Sequence, residues 1–195
     1  MEEIQETKQE IRNRIETIVS TMAPAERQGK NENIEERLFE FANFLESRII
    51  LLYASRPVEV PTTRIIRKSF EFGKIVVLPA FDADKRESRL LKIDDPGKDL
   101  VPGPRGALQP NPERCKQVPL ECIDIAIVPG VALDEKGGRI GSGAGFYDRL
   151  IPKLPATTRK VALALEEQII PQVPTEHHDR FVDIIISNER TIYKI

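Results

Sequence analysis

Gly137-Gly138-Arg139-Ile140-Gly141-Ser142-Gly143-Ala144-Gly145-Phe146-Tyr147-Asp148-Arg149 follows an apolar run that ends Ile127-Val128-Pro129-Gly130. Three glycines at alternate positions, Gly141, Gly143 and Gly145, stand between a basic residue and an aromatic-acidic ending. Glycines at that density let the backbone approach a ligand closely and offer several N–H groups to one anion. Arg139 adds fixed positive charge, and Asp148 adds a carboxylate able to hold a divalent cation. The stretch reads as a phosphate cradle for a nucleotide or another phosphorylated ligand. It is not a P-loop, which needs a terminal Gly-Lys-Ser/Thr, and Phe146 stands where a dinucleotide fingerprint has its last glycine.

Upstream, Ile4, Ile11, Ile15, Ile18 and Met22 form a helical stripe over 4–22, closed by Pro24. A second helix fits 32–47 on Ile34, Leu38, Phe41 and Leu45. Ile49–Tyr53 is a continuous apolar run, as expected of a buried strand. Thr62 is placed to cap a helix carrying Ile65, Ile66 and Phe70 and ended by Gly73. Ile75–Pro79 is the next strand. Residues 80–118 gather Pro96, Gly97, Pro102, Gly103, Pro104, Gly106, Pro110 and Pro112, and predict loop over a cleft with one short strand at Leu90–Ile93. Ile123–Val128 leads into the glycine loop, and a helix runs from that loop toward Lys153. Further strands fit Val161–Leu165, Val182–Ile186 and Thr191–Lys194. Helices alternating with continuous apolar strands predict an α/β fold with a mainly parallel sheet covered on both faces. Ligands of such sheets bind beyond the carboxyl ends of the strands, where the glycine loop falls.

The 195 residues suffice for one domain, 1–195, and 40% hydrophobic with 31% charged residues is the balance of a soluble chain. A net charge of -2 provides no global field for nucleic acid, so any basic site is local. No apolar run is long enough to span a bilayer, and the polar start Met1-Glu2-Glu3-Ile4 carries no secretory signal, which predicts a cytoplasmic protein. Cys115 and Cys122 read as free thiols in a reducing compartment. The adjacent His177 and His178 lack zinc-ligand spacing.

Other residues are ambiguous by themselves. Lys8 and Arg12 stand one turn apart beside the first apolar stripe, either as a solvated basic edge or as a ligand contact. Glu59, in Arg56-Pro57-Val58-Glu59-Val60, lies just past the first strand, where ligand contacts occur. Asp179 follows His177-His178 in a loop before Val182 and reads as a turn aspartate.

Taken in order, these pieces resemble the 5-formyltetrahydrofolate cyclo-ligase family, also called 5,10-methenyltetrahydrofolate synthetase. The resemblance rests on Val128-Pro129-Gly130-Val131-Ala132-Leu133-Asp134 followed by Gly137 through Arg149. It extends to Lys8 with Arg12, Tyr53, Ser55, Glu59 and Val60, Gly73, Lys74 and Pro79, Gln109-Pro110, Ala164–Gln168, and Val173-Pro174 with His178-Asp179. It implies a three-layer Rossmann-like sandwich, related in architecture to sugar-phosphate isomerases and CoA transferases. It also implies an enzyme that uses ATP as co-substrate and Mg2+ to convert 5-formyltetrahydrofolate into 5,10-methenyltetrahydrofolate, ADP and phosphate.

By that resemblance, Lys8 and Arg12 hold ATP phosphates together with Arg139, Gly141, Ser142, Gly143, Ala144, Gly145, Phe146, Tyr147 and Asp148. Arg139 and Tyr147 are the expected catalytic residues. Glu59, Leu90 and the 143–147 stretch contact the folate, and Asp148 and Asp179 bind the metal. Partners are expected to be small molecules only, with no nucleic acid or membrane and a monomeric or weakly dimeric chain. The chain departs from the family at Ser142, Ala144, Phe146 and Arg89-Leu90-Leu91-Lys92, which leaves a modified pterin as an alternative substrate. A non-catalytic binding homologue and a sugar-phosphate isomerase are the competing classes, and dependence on ATP separates them.

Overall fold

The computed structural model describes residues 2–82, 87–103 and 106–194. Its centre is a seven-stranded sheet. The helices are α1 (Glu2–Thr21), α2 (Pro24–Glu40), α3 (Ala42–Glu46), α4 (Thr63–Glu71), α5 (Pro96–Asp99) and α6 (Phe146–Leu150). The strands are β1 (Ile49–Leu51), β2 (Ile75–Asp82), β3 (Glu87–Ile93), β4 (Leu100–Pro102), β5 (Leu108–Pro110), β6 (Ile125–Val128), β7 (Ala132–Leu133), β8 (Arg139–Ile140), β9 (Arg159–Ala164), β10 (Ile184–Ser187) and β11 (Thr191–Tyr193).

The sheet runs β11-β10-β9-β6-β1-β2-β3. Pairing is parallel from β10 through β9, β6 and β1 to β2, and antiparallel at the two edges. From β1 the chain moves one way, to β2; from β6 it moves the other way, to β9. The boundary between β1 and β6 is therefore the switch point, the place where doubly wound sheets open a crevice.

The apolar runs are continuous because both faces are covered. Ile50, Val76, Leu78, Ile125, Ile127, Val161, Leu163, Ile184 and Ile186 face one side, packed with Ile15, Val19, Ile34, Leu38 and Ile65 of α1, α2 and α4. Leu51, Val77, Ala126, Val128, Ala162, Ala164 and Ile185 alternate onto the other side, with Leu150, Ile151 and Leu154. These are the three layers expected.

Several boundaries differ from the sequence reading, for identifiable reasons. In α1 the buried position is Val19, 1% exposed, and Ile18 points outward at 37%. Pro24 does not merely close α1; it is the first residue of α2, where its missing N–H costs nothing. The helix expected over 32–47 breaks at Phe41, which is extended at ψ 122°, so that Phe44 is buried and Leu45 exposed. Thr62 does not cap α4 with its side chain, since its Oγ1 donates to the Tyr53 carbonyl at 2.5 Å. Gly73, at φ +69°, ends α4 as expected.

The largest difference lies within 80–118. β2 continues to Asp82 and pairs with β3 from Val76↔Ile93 to Asp82↔Glu87, a long edge hairpin where loop was expected. β4 and β5 form a further ribbon nearby. Pro104 of the Pro/Gly cluster lies outside the described residues. Cys115 and Cys122 are free, as expected.

Candidate active site

Beyond the ends of β1, β2 and β6 lies a cavity into which the glycine loop, the start of α1 and the 176–179 segment converge. Lys8, Arg12, Glu59, Arg139, Gly141 through Asp148 and Asp179 all line it. Residues from four distant parts of the sequence are thus brought to one place. Leu90 is the exception: it is 4% exposed and lines a separate cavity, sharing only Phe146 with the first.

Arg139 sits on β8, 4% exposed. Its Nη2 donates to Asp148 Oδ1 at 2.8 Å and its Nη1 to the Pro129 carbonyl at 3.2 Å. Its Nε is buried with no hydrogen-bond partner. The guanidinium carbon lies 5.8 Å from the Tyr147 ring centroid. Asp148 also accepts from the Arg180 N–H at 3.1 Å, again on Oδ1.

The loop is shaped by glycines at the two places that demand them. Gly143 has φ +97° and Gly145 φ +62°, values that side chains resist. Arg12 Nε donates to the Gly141 carbonyl at 2.8 Å and Arg149 Nη1 to the Ala144 carbonyl at 3.1 Å. Two loop carbonyls are therefore taken up by arginines before any anion arrives.

Lys8 is 4% exposed because it falls on the inner line of α1 with Ile11, Ile15 and Val19. Its Nζ lies 2.5 Å from Asp179 Oδ2 and 3.1 Å from Glu176 Oε2. Glu176, His178 and Asp179 each offer an atom within 4.8 Å of the others. Burial pushes the Asp179 carboxyl up, but the Lys8 ammonium and the Glu176 N–H outweigh it, and the group titrates below the usual range. Burial lowers the Arg12 guanidinium, partly offset by Asp179.

The opposite side is aromatic and largely apolar. Phe81 meets Phe146 edge-on at 4.8 Å, and Phe146 meets Tyr147 likewise at 4.7 Å. Glu59, 6% exposed, accepts the Arg56 N–H at 2.8 Å. Burial raises its pKa, with the Arg56 N–H, Arg56 and Arg139 pulling less strongly the other way. Burial and Glu59 also push the Tyr53 and Tyr147 phenols upward, so both remain O–H donors.

Sequence reasoning missed Glu176, Phe81 and Arg56. Glu176 had a signal, one turn of chain before Asp179. Phe81 had none, because its strand was read as loop. Other motif residues turn out to brace the site. Buried Asp134 accepts N–H groups of Lys136, Gly138 and Val173, and Gln168 reaches the Gly130 and Val131 carbonyls. Gln109 accepts the Phe81 N–H at 3.0 Å.

Residues 4–188 match the family model described as the 5-formyltetrahydrofolate cyclo-ligase family. A Caenorhabditis elegans protein named probable 5-formyltetrahydrofolate cyclo-ligase is 32% identical, over 98% of each chain. The mouse 5-formyltetrahydrofolate cyclo-ligase is 25% identical, over 94% of each. The solved Aquifex aeolicus 5,10-methenyltetrahydrofolate synthetase superposes with a TM-score of 0.83 at 27% identity, covering 96% of this chain and 92% of that one. The Mycoplasma pneumoniae synthetase, 18% identical, shares the fold with a TM-score of 0.72.

Proposed function

The chain belongs to the 5-formyltetrahydrofolate cyclo-ligase family, and from that premise we propose that it closes the ring of 5-formyltetrahydrofolate at the cost of ATP. The products are 5,10-methenyltetrahydrofolate, ADP and phosphate. The observation that carries the reading is the cavity itself, which holds a basic glycine-loop side and an aromatic side with a buried carboxyl.

An N-formyl carbon is a poor electrophile, because the amide nitrogen donates electrons into the carbonyl. Transfer of the γ-phosphoryl group to the formyl oxygen makes that oxygen a leaving group. N10 then attacks the formyl carbon, the five-membered ring closes as N10 gives up its proton to solvent or the departing phosphate, and the C–O bond breaks to release phosphate. Such a transfer depends on positioning and charge stabilisation more than on a strong base.

Lys8, Arg12 and the 141–148 stretch hold the phosphates. Arg139, fixed by Asp148 and Pro129, meets the charge that develops on the transferring group. Tyr147, kept protonated by its burial, donates a hydrogen bond to the reacting oxygens. Glu59 accepts from the pterin N–H groups, and Phe81 and Phe146 flank its ring. Leu90 lies behind Phe146 and supports that ring.

The donor set suits magnesium, a hard cation that prefers oxygen. Both contacts of Asp148 fall on Oδ1, and Asp179 stands with Glu176 and His178. Asp148 and Asp179 would hold the ion, which when bound neutralises phosphate charge. No described helix is long and apolar enough to cross a membrane. We place the protein in the cytoplasm, working as one domain on small molecules.

The test is absorbance of the methenyl product after the chain is mixed with 5-formyltetrahydrofolate, magnesium and ATP, against an ATP-free control. ATP-dependent product is expected. ATP binding without product would assign the chain to a different pterin or to a non-catalytic role.

A further inference from the structure

The backbone N–H groups of Ser142, Gly143, Ala144 and Gly145 make no hydrogen bond among the described residues. All four residues line the main cavity. Two peptides of this loop are held by arginines, and the arginines stand on different sides of it. Arg12 lines the main cavity and donates to the Gly141 carbonyl at 2.8 Å. Arg149 does not line that cavity; it lines the neighbouring one, beyond Phe146. From there its Nη1 donates to the Ala144 carbonyl at 3.1 Å.

A trans peptide is planar, and its C=O and N–H point in opposite directions. No described peptide bond is cis. A carbonyl drawn toward the cavity therefore turns the next N–H out of it, and a carbonyl drawn away turns the next N–H inward. By this rule the 141–142 peptide offers the cavity its oxygen, and the 144–145 peptide offers its nitrogen. Gly145 fits the arrangement twice over. Its φ is +62°, and a Cβ there would lie 3.1 Å from Arg149 Nη1. Arg149 is exposed, and its side chain makes no other hydrogen bond or ion pair among the described residues. Core packing does not call for it.

We propose that Arg149 is a positioning residue for the nucleotide: by holding the Ala144 carbonyl from outside the cavity, it aims the Gly145 N–H at the phosphates. It touches neither substrate itself. The proposal rests on the reading of the glycine loop as an ATP site. Without the clamp, glycines on either side of Ala144 leave the 144–145 peptide free to turn over. Its carbonyl oxygen then faces the anion for part of the time, and only the remaining fraction of molecules binds well.

Arg149→Ala is expected to raise the KM for ATP about fivefold, the worth of one modest hydrogen bond. Its kcat, its KM for 5-formyltetrahydrofolate and its melting temperature should stay at the wild-type values. Arg149→Lys keeps a charged donor on a long stem and is expected to recover most of the loss. Calorimetric binding of ATP, measured without folate, should weaken in step and gives a readout free of turnover. The Arg149→Ala effect should persist in ~1 M salt, which screens a distant exposed charge but not the shape of a loop. An unchanged KM for ATP overturns the proposal. An effect that salt abolishes also overturns it, because Arg149 would then act only as an attracting charge. A rise in the KM for folate in place of that for ATP does so too, by giving Arg149 to the other substrate. A wild-type chain that neither binds ATP nor closes the ring fails the functional reading instead, so the two failures are distinct.

Discussion

Lys8 lies between Glu176 and Asp179, and Arg139 lies on Asp148, whereas across the same cavity Glu59 and Tyr53 are buried and Tyr147 is half-buried against the apolar core. The first side sets each charged group against an opposite charge. The second favours their neutral forms by burying them. This division suits two substrates of different character. A polyphosphate can exchange ion-pair partners on the first side, and a neutral heterocycle can be hydrogen-bonded on the second without stranding a charge.

The strongest way to break the paired side is Arg139→Gln. It removes the guanidinium that we propose meets the phosphoryl group, and it leaves Asp148 without its 2.8 Å partner. Turnover is expected to fall by about 10²–10³-fold, as for loss of a donor to a developing anion. ATP affinity should change much less, because Lys8, Arg12 and the loop remain. Single-turnover rates and an ATP titration on the same variant check this. An equal loss in both would reduce Arg139 to a binding residue.

A smaller effect is expected from Asp179→Asn. Lys8 keeps Glu176 and loses the closer of its two acceptors. The cost should be about 1–3 kcal/mol of stability, the price of weakening a buried charged hydrogen bond. Its pH dependence has a definite sign. Asp179 titrates below its ordinary value, so its contribution is present above the unfolded carboxyl pKa, about 3.9. It is lost as pH falls through the lower folded value. The melting-temperature gap between wild type and variant should therefore be open at neutral pH and close in acid. A gap that is the same at every pH would show that the Lys8 pairing contributes no stability.

The same contrast explains what the sequence could and could not reveal. Ile125–Val128 and Ile184–Ser187 are legible because strands covered on both faces need apolar residues at every position. Residues 25–31 were not, since Ala-Glu-Arg-Gln-Gly-Lys-Asn presents no apolar stripe and the helix is carried by its later turns. The β2–β3 hairpin was hidden by Pro79 and by the charges that follow Phe81. In the site, Lys8, Arg12, Arg139, the glycine loop, Asp148 and Asp179 were recognisable as a family pattern. Glu176, the second partner of Lys8, was not, because pairing across 168 residues of chain leaves no local mark. Arg56 and Phe81 matter through position alone.

The buried side makes the opposite prediction, with the smallest effect. Burial raises the pKa of Glu59 against the weaker pull of the Arg56 N–H and the nearby arginines. A raised folded pKa means that the favourable, protonated state is fully present below the unfolded value, about 4.3. Stability is then lost as pH rises through the folded value, because a carboxylate must be kept out of water. Glu59→Gln retains an oxygen for the Arg56 N–H and removes that charge. The variant should melt higher than wild type at neutral pH, by no more than a few degrees for a chain of this size. The difference should vanish toward pH ~4, where wild type is itself protonated. Thermal melts across that range, with Asp179→Asn alongside, would give gaps of opposite sign on the two sides of one cavity. A Glu59→Gln variant that melts lower at neutral pH would mean that the arginines, not burial, govern Glu59, and the two sides would then differ only in degree.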